Sequence, residues 1–125
     1  MKMNDYINAF ANHLEDALTI GDKASIAVSK KSISTVLICG LGGSGIGGSI
    51  IKDVVSKKTG IPITVSKGYS IPGFVNKNTL VIACSYSGNT EETISSVEEC
   101  LKKNAEITII TSGGKLQELA IKNTL

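Results

Sequence analysis

Thr35-Val36-Leu37-Ile38-Cys39 runs directly into Gly40-Leu41-Gly42-Gly43-Ser44-Gly45-Ile46-Gly47-Gly48. The first five residues are a continuous, β-branched-rich apolar run, the pattern of a strand buried on both faces. The glycines end that strand and permit a tight turn. Beyond them, apolar spacing predicts a helix from about Ile46 to Lys57, with Ile46, Ile50, Ile51, Val54 and Val55 facing inward. A strand, a glycine turn and a helix open a βαβ unit, whose strands must lie parallel.

The same unit recurs toward the C-terminus. Gly60 ends the helix, and Ile61-Pro62-Ile63-Thr64-Val65 reads as a second strand. Tyr69 to Phe74, with Pro72 and Gly73, is a loop. Thr79-Leu80-Val81-Ile82-Ala83-Cys84 is a third strand, ending in Ser85-Tyr86-Ser87-Gly88-Asn89-Thr90. A helix over about Glu91 to Lys103 carries Ile94, Val97 and Leu101 on one stripe. Its acids stand at the start and Lys102 and Lys103 at the end, in accord with the helix dipole. Glu106 to Ile110 is a fourth strand, Thr111 to Gly114 a loop and Lys115 to Lys122 a last helix. Parallel strands joined by right-handed crossovers make an α/β doubly wound parallel sheet, expected in the order 2-1-3-4 common to such folds, with a fifth strand expected beyond Leu125.

Before the first strand, Asn4 is expected to cap a helix starting at Asp5, and Ile7, Phe10, Leu14 and Leu18 mark its apolar face. Gly21 is its expected stop, and a shorter helix is expected over Lys23 to Lys31. The division is a helical leader, residues 1–32, and one α/β domain, residues 33–125.

The 125 residues suit one domain, and 42% hydrophobic against 19% charged content supports a buried core. A net charge of +2 argues against nucleic acid and anionic membranes as partners. All 13 basic residues are lysines, so bidentate arginine clamps are impossible within the chain. Cys39, Cys84 and Cys100 form no C-x-x-C pair, which favours a reducing cytoplasm over a disulfide or zinc framework. No apolar run approaches the ~20 residues of a membrane span, and no signal-peptide pattern begins the chain.

Chemistry concentrates at Gly40–Gly48 and Ser85–Thr90. In a 2-1-3-4 sheet these loops leave adjacent strands in opposite directions, and such switch points bind ligands. Backbone N–H groups at a helix start favour an anion, and Ser85, Ser87 and Thr90 add three hydroxyls, which suits a phosphate. The bland readings are that Asn89 or Thr90 only caps a helix and that Gly42 to Gly45 only makes a tight turn. Gly40-x-Gly42-x-x-Gly45 also matches a dinucleotide fingerprint, but the second strand ends in Val65-Ser66-Lys67 without the ribose-binding acid. Gly47-Gly48-Ser49 lacks the lysine of a nucleotide P-loop. His13 reads as a surface or subunit-contact residue, and Glu91 and Glu92 as dipole-stabilising acids that also face the crevice. Cys39 and Cys84 read as core residues, Cys100 as an unreactive thiol, and Lys67 and Lys77 as solvated cations.

The two loops resemble those of the sugar isomerase (SIS) domain family, and more closely the amino-terminal half of bifunctional phosphoglucose/phosphomannose isomerases. Ser85-Tyr86-Ser87-Gly88-Asn89-Thr90-Glu91-Glu92-Thr93 resembles the general phosphosugar motif, and the doubled glycines of Gly40 to Gly48 resemble that branch. Tyr69 to Phe74 and the leader fit it too. The resemblance implies a flavodoxin-like SIS fold. It implies that Ser85, Ser87 and Thr90 bind a sugar phosphate and that Gly42, Gly43 and Ser44 line the sugar side. It implies interconversion of glucose 6-phosphate or mannose 6-phosphate with fructose 6-phosphate through an enediol, with no metal or nucleotide cofactor. Such enzymes carry two SIS domains and form dimers, and their catalytic arginine, glutamate, histidine and lysine match no position here. The expectation is therefore a phosphate grip, inactive alone. The alternative is a non-catalytic phosphosugar-sensing module of a regulator.

Overall fold

In the computed structural model, which describes residues 1–125, four strands form one parallel sheet of order β2-β1-β3-β4. The strands are β1 (Thr35–Cys39), β2 (Ile63–Ser66), β3 (Thr79–Cys84) and β4 (Glu106–Ile110). The helices are α1 (Met3–Asn8), α2 (Phe10–Lys23), α3 (Gly42–Val55), α4 (Glu91–Lys102) and α5 (Gly114–Asn123). The fold is thus the expected doubly wound sheet, with β4 at one edge.

Register explains the layering. Leu37 pairs with Val81, and Val81 with Ile107, so their side chains share one face. With Cys39 and Ala83 they meet Ile94, Val97 and Cys100 of α4 and Leu116 of α5 in one buried cluster. The opposite face carries Ile38 between Val65 and Ile82. There α3 packs on β1 and β2, leaving Leu80 and Ile82 half-buried and Thr108 and Ile110 exposed.

Three local expectations are corrected. First, α3 begins at Gly42 rather than Ile46, and Ile46, Ile50, Ile51 and Val54 do not face inward; each is more than half exposed. The helix rests on the sheet through buried Gly45 and Gly48, whose missing side chains let its backbone come close. A β-carbon at Gly48 would lie 2.8 Å from Cγ2 of Ile38. Second, the leader helix starts at Met3, where the Asp5 carboxylate accepts the Lys2 N–H at 2.8 Å, so Asn4 is not the cap. Gly21 lies inside α2, which continues to Lys23. Third, residues 24–34 form no helix. Side-chain bonds tie this segment to the start of β4 instead: Ser29 Oγ donates to Glu106 Oε2 at 2.5 Å, and Lys31 Nζ to the Asn104 carbonyl at 2.9 Å. Neither α1 nor α2 contains a buried residue, so Ile7, Phe10, Leu14 and Leu18 present an uncovered apolar stripe.

Candidate functional site

β1 and β3 are neighbours, so the loops that follow them open on the same end of the sheet. Leu41, Gly43 and Ser44 from one, with Ser85, Tyr86, Ser87 and Thr90 from the other, line a cavity of about 620 Å³. An adjoining space of about 360 Å³ is lined by Ser44, Cys84, Ser85, Tyr86, Ile110, Thr111 and Ser112. Five expected site residues, Gly43, Ser44, Ser85, Ser87 and Thr90, are thereby brought together. Gly42 is not among the lining residues. It turns the chain into α3 at φ +53°, a left-handed conformation that glycine adopts without strain.

The hydroxyls differ in what they do. Ser85 is buried, and its Oγ accepts the Gly88 N–H at 3.1 Å and shares a hydrogen bond with Thr90 Oγ1 at 2.8 Å. Ser87 is exposed, and its Oγ accepts the Asn89 N–H at 3.1 Å. That acceptance leaves the Ser87 hydroxyl hydrogen available to a ligand. The Tyr86 and Ser87 N–H groups have no carbonyl partner. Because α3 starts at Gly42, the glycine loop is itself the first turn of a helix, and α4 starts one residue after Thr90. Two helix N-termini therefore converge on a crevice with hydroxyl and amide donors, an environment suited to an anion.

The remaining titratable residues lie to the side. Tyr69 donates its phenol hydrogen to Glu91 Oε2 at 3.2 Å, and the Glu92 carboxylate beside it is the main cause raising the phenol above its ordinary value. The Tyr69 and Gly68 carbonyls accept from Ser95 Oγ at 3.0 Å and Ser96 Oγ at 3.2 Å, so α4 straps this loop down. The stem of Lys67 lies over Gly45, where a β-carbon would stand 3.2 Å from its Cε. His13 sits on exposed α2 and lines neither cavity. Tyr86, Thr111 and Ser112 are lining residues that sequence reasoning missed. For Thr111 and Ser112 the available signal was a second hydroxyl- and glycine-bearing loop, Thr111 to Gly114, on the strand next to β3; Tyr86 lies within the Ser85–Thr90 loop itself.

Burial pushes the Cys39 thiol from 9.0 up to about 12 and the Cys100 thiol up to about 11. Between those limits the folded chain holds protons that the unfolded chain has released. Stability is then full below pH 9.0 and falls as pH rises toward the folded values. Urea melts across that alkaline range should show this slope, and Cys100→Ala should make it shallower. An unchanged slope in the variant would show that the Cys100 thiol does not contribute.

Fold and crevice together define a parallel α/β domain that offers an anion a cradle of hydroxyls and helix-start amides at its topological switch point. The chain belongs to the SIS domain family, which it matches over residues 29–122. It is 46% identical over 110 residues to the bifunctional phosphoglucose/phosphomannose isomerase of Caldicellulosiruptor bescii, covering 88% of this chain and 32% of that one. The enzyme of the same name from Thermoplasma acidophilum is 45% identical over 109 residues, 86% of this chain and 34% of the relative. A D-glucosamine-6-phosphate 4-epimerase of Sulfolobus acidocaldarius is 38% identical over 91 residues, 72% of this chain and 28% of its own. Among solved structures, a candidate phosphosugar isomerase from Clostridium difficile superposes with a TM-score of 0.77 at 18% identity, over 95% of this chain and 36% of that one. At that identity it supports the fold alone. The chain spans about a third of the length of the curated relatives it matches.

Proposed function

We propose that this chain is the phosphosugar-gripping SIS domain (residues 33–125, preceded by the leader 1–32) of an aldose–ketose isomerase. Its substrates are glucose 6-phosphate or mannose 6-phosphate and fructose 6-phosphate. Ser85, Ser87 and Thr90 hold the phosphate, and Gly43 and Ser44 form the sugar side, placed there by the turn at Gly42. The observation that carries this reading is the convergence of both loops on one hydroxyl-lined cavity between two helix starts. Proton transfer between C1 and C2 needs a positioned base. The cavity lining contains neither carboxylate nor imidazole, so the base comes from elsewhere in the working enzyme. A relative named as an epimerase fits this division, because a shared domain can hold a 6-phosphate while different groups carry out the chemistry.

The working enzyme pairs this domain with a second SIS domain in a homodimer. The exposed apolar stripes of α3 and the leader favour such covering. Three free cysteines are consistent with a reducing cytoplasm, and no helix is long and apolar enough to cross a membrane.

Titrating the chain separately with fructose 6-phosphate and NADPH, with amide NMR shifts as the readout, tests the reading. Shifts at Ser85 to Thr90 with the sugar phosphate are expected, and a response to NADPH alone would overturn it. Ser87→Ala should weaken sugar-phosphate affinity by about 1–3 kcal/mol through loss of a charge-assisted hydrogen bond. Unchanged affinity would remove Ser87 from the grip.

A further inference from the structure

The loop after β4 makes a set of contacts with the phosphate loop that ligand binding itself does not require. The Ser112 N–H donates to the Tyr86 carbonyl at 3.1 Å, and Ser112 Oγ donates to the same oxygen. The Leu116 N–H donates to the Gly88 carbonyl at 2.9 Å. The Lys115 N–H donates to Asn89 Oδ1 at 3.0 Å. Between these, the Ser87 carbonyl lies against Gly114, where a β-carbon would stand 2.4 Å from it. Gly114 has φ +69°, and the turn before it is held by Thr111 Oγ1, which donates to the Gly113 carbonyl at 2.9 Å.

Three consecutive carbonyls, those of Tyr86, Ser87 and Gly88, thus face the β4–α5 loop and the start of α5. In a trans peptide the C=O of one residue and the N–H of the next point in opposite directions. The N–H groups of Ser87, Gly88 and Asn89 are therefore turned away from α5. Those of Gly88 and Asn89 reach Ser85 Oγ and Ser87 Oγ, and both serines line the crevice. The Lys115 and Leu116 N–H groups, which the start of α5 leaves free, are satisfied by the phosphate loop, and in return they fix its peptide planes.

We propose that Asn89 is a positioning residue of the phosphate site, acting with Gly114. Its side chain binds α5 rather than the ligand, and the docked α5 start orients the Ser87, Gly88 and Asn89 peptides before any anion arrives. Asn89 lines neither crevice cavity, which separates this role from direct contact. The proposal rests on the phosphate reading of Ser85 to Thr90, and the test separates the two.

In the ligand-free 125-residue chain, Asn89→Ala is expected to move the Lys115, Ser87 and Gly88 amide resonances and to speed hydrogen exchange at the bonded Lys115 and Gly88 amides. Asn89→Asp keeps an acceptor oxygen for the Lys115 N–H, so it should restore the wild-type Lys115 resonance. Titrated with fructose 6-phosphate, Asn89→Ala should raise Kd about tenfold, the loss of roughly one hydrogen bond's free energy. Gly114→Ala, which intrudes on the same contact from the other side, should move the same amides and raise Kd in the same direction. If Ser87→Ala weakens binding and Asn89→Ala leaves both Kd and the Ser87 and Gly88 amides unchanged, the positioning role is overturned and the phosphate reading stands. A fall in thermal midpoint with Kd unchanged would likewise reduce Asn89 to a fold-supporting role. If the wild-type chain binds no sugar phosphate, the phosphate reading fails, and the amide shifts alone still decide whether Asn89 orients the loop.

Discussion

Gly88→Ala is expected to abolish sugar-phosphate binding and to destabilise the chain at the same time. Gly88 has φ +71°, where any β-carbon is strained, at a cost of about 1–2 kcal/mol. The larger effect is contact. The added methyl would lie 1.8 Å from the Gly113 carbonyl oxygen, 2.7 Å from its carbon and 2.8 Å from Thr111 Oγ1. Two of these are backbone atoms, so no rotamer change relieves the clash. The two loops must part, and the bond from the Leu116 N–H to the Gly88 carbonyl is lost with them. A total near 3 kcal/mol places the variant among the severe substitutions with a named backbone cause. Calorimetric titration with fructose 6-phosphate should show an affinity loss of about 100-fold or more, and a thermal scan a clear drop in midpoint. Binding within twofold of wild type, with an unchanged midpoint, would mean that the loops do not meet at Gly88.

Gly88 also marks the limit of what local sequence shows. That a glycine among hydroxyls after β3 serves a turn was legible, because Ser85 to Thr90 stand at a strand end and before a helix. That its missing side chain makes room for Gly113, 25 residues onward, was not, because nothing in either segment names the other. Asn89 illustrates the same gap. Its place beside α4 suggests a cap for that helix, yet α4 has no side-chain cap, and the amide oxygen serves α5. The strands were easier. Thr35–Cys39, Thr79–Cys84 and Glu106–Ile110 fall where their apolar runs predict, since a buried parallel strand shows itself as a continuous run. The strand–helix alternation implied parallel pairing, and the 2-1-3-4 order expected of a doubly wound sheet brought the two loops together. The family's paired motifs named five residues that line the cavity, but a motif does not reveal which hydroxyls are already engaged. Ser85 and Thr90 bond to each other.

The leader resisted reading for another reason. Ile7, Phe10, Leu14 and Leu18 have helical spacing and fall on helices, although the one expected helix is two, α1 and α2, divided at Ala9; periodicity marks an apolar face without stating what covers it. In α3 periodicity pointed to the wrong face. Ile46, Ile50 and Val54 form a stripe of the usual inward kind, while Gly45 and Gly48 form the stripe that touches the sheet. A hydrophobicity pattern favours isoleucine over glycine for burial. It carries no information about how closely two backbones must approach.

Gly48→Val tests which stripe holds α3 to the sheet. If the isoleucines did, a valine at Gly48 would face solvent and cost only helix propensity. In this structure the β-carbon alone stands 2.8 Å from Ile38 Cγ2, with Ile38 Cβ at 3.5 Å and Val65 Cγ1 at 3.6 Å. Ile38 cannot yield easily, since it is 4% exposed and is flanked in register by Val65 and Ile82. The helix must therefore lift from β1, and overpacking of this kind costs about 1–3 kcal/mol or more. The two γ-methyls of valine deepen the overlap, which puts the expected loss at the upper end. Against a domain stability of about 5–15 kcal/mol that is a large fraction. Gly47→Ala is the matched control. A β-carbon at Gly47 meets nothing within 4 Å, so alanine should stabilise α3 by up to about 1 kcal/mol through helix propensity alone. Urea melts should therefore shift in opposite directions for two adjacent glycines of one helix. The lifted helix also carries Gly43 and Ser44 in its first turn, so Gly48→Val should weaken fructose 6-phosphate binding from a sheet contact about one turn away rather than at the ligand. Equal stability for the two variants would mean that α3 is held by its isoleucines and that Gly48 does not set the approach of α3 to β1.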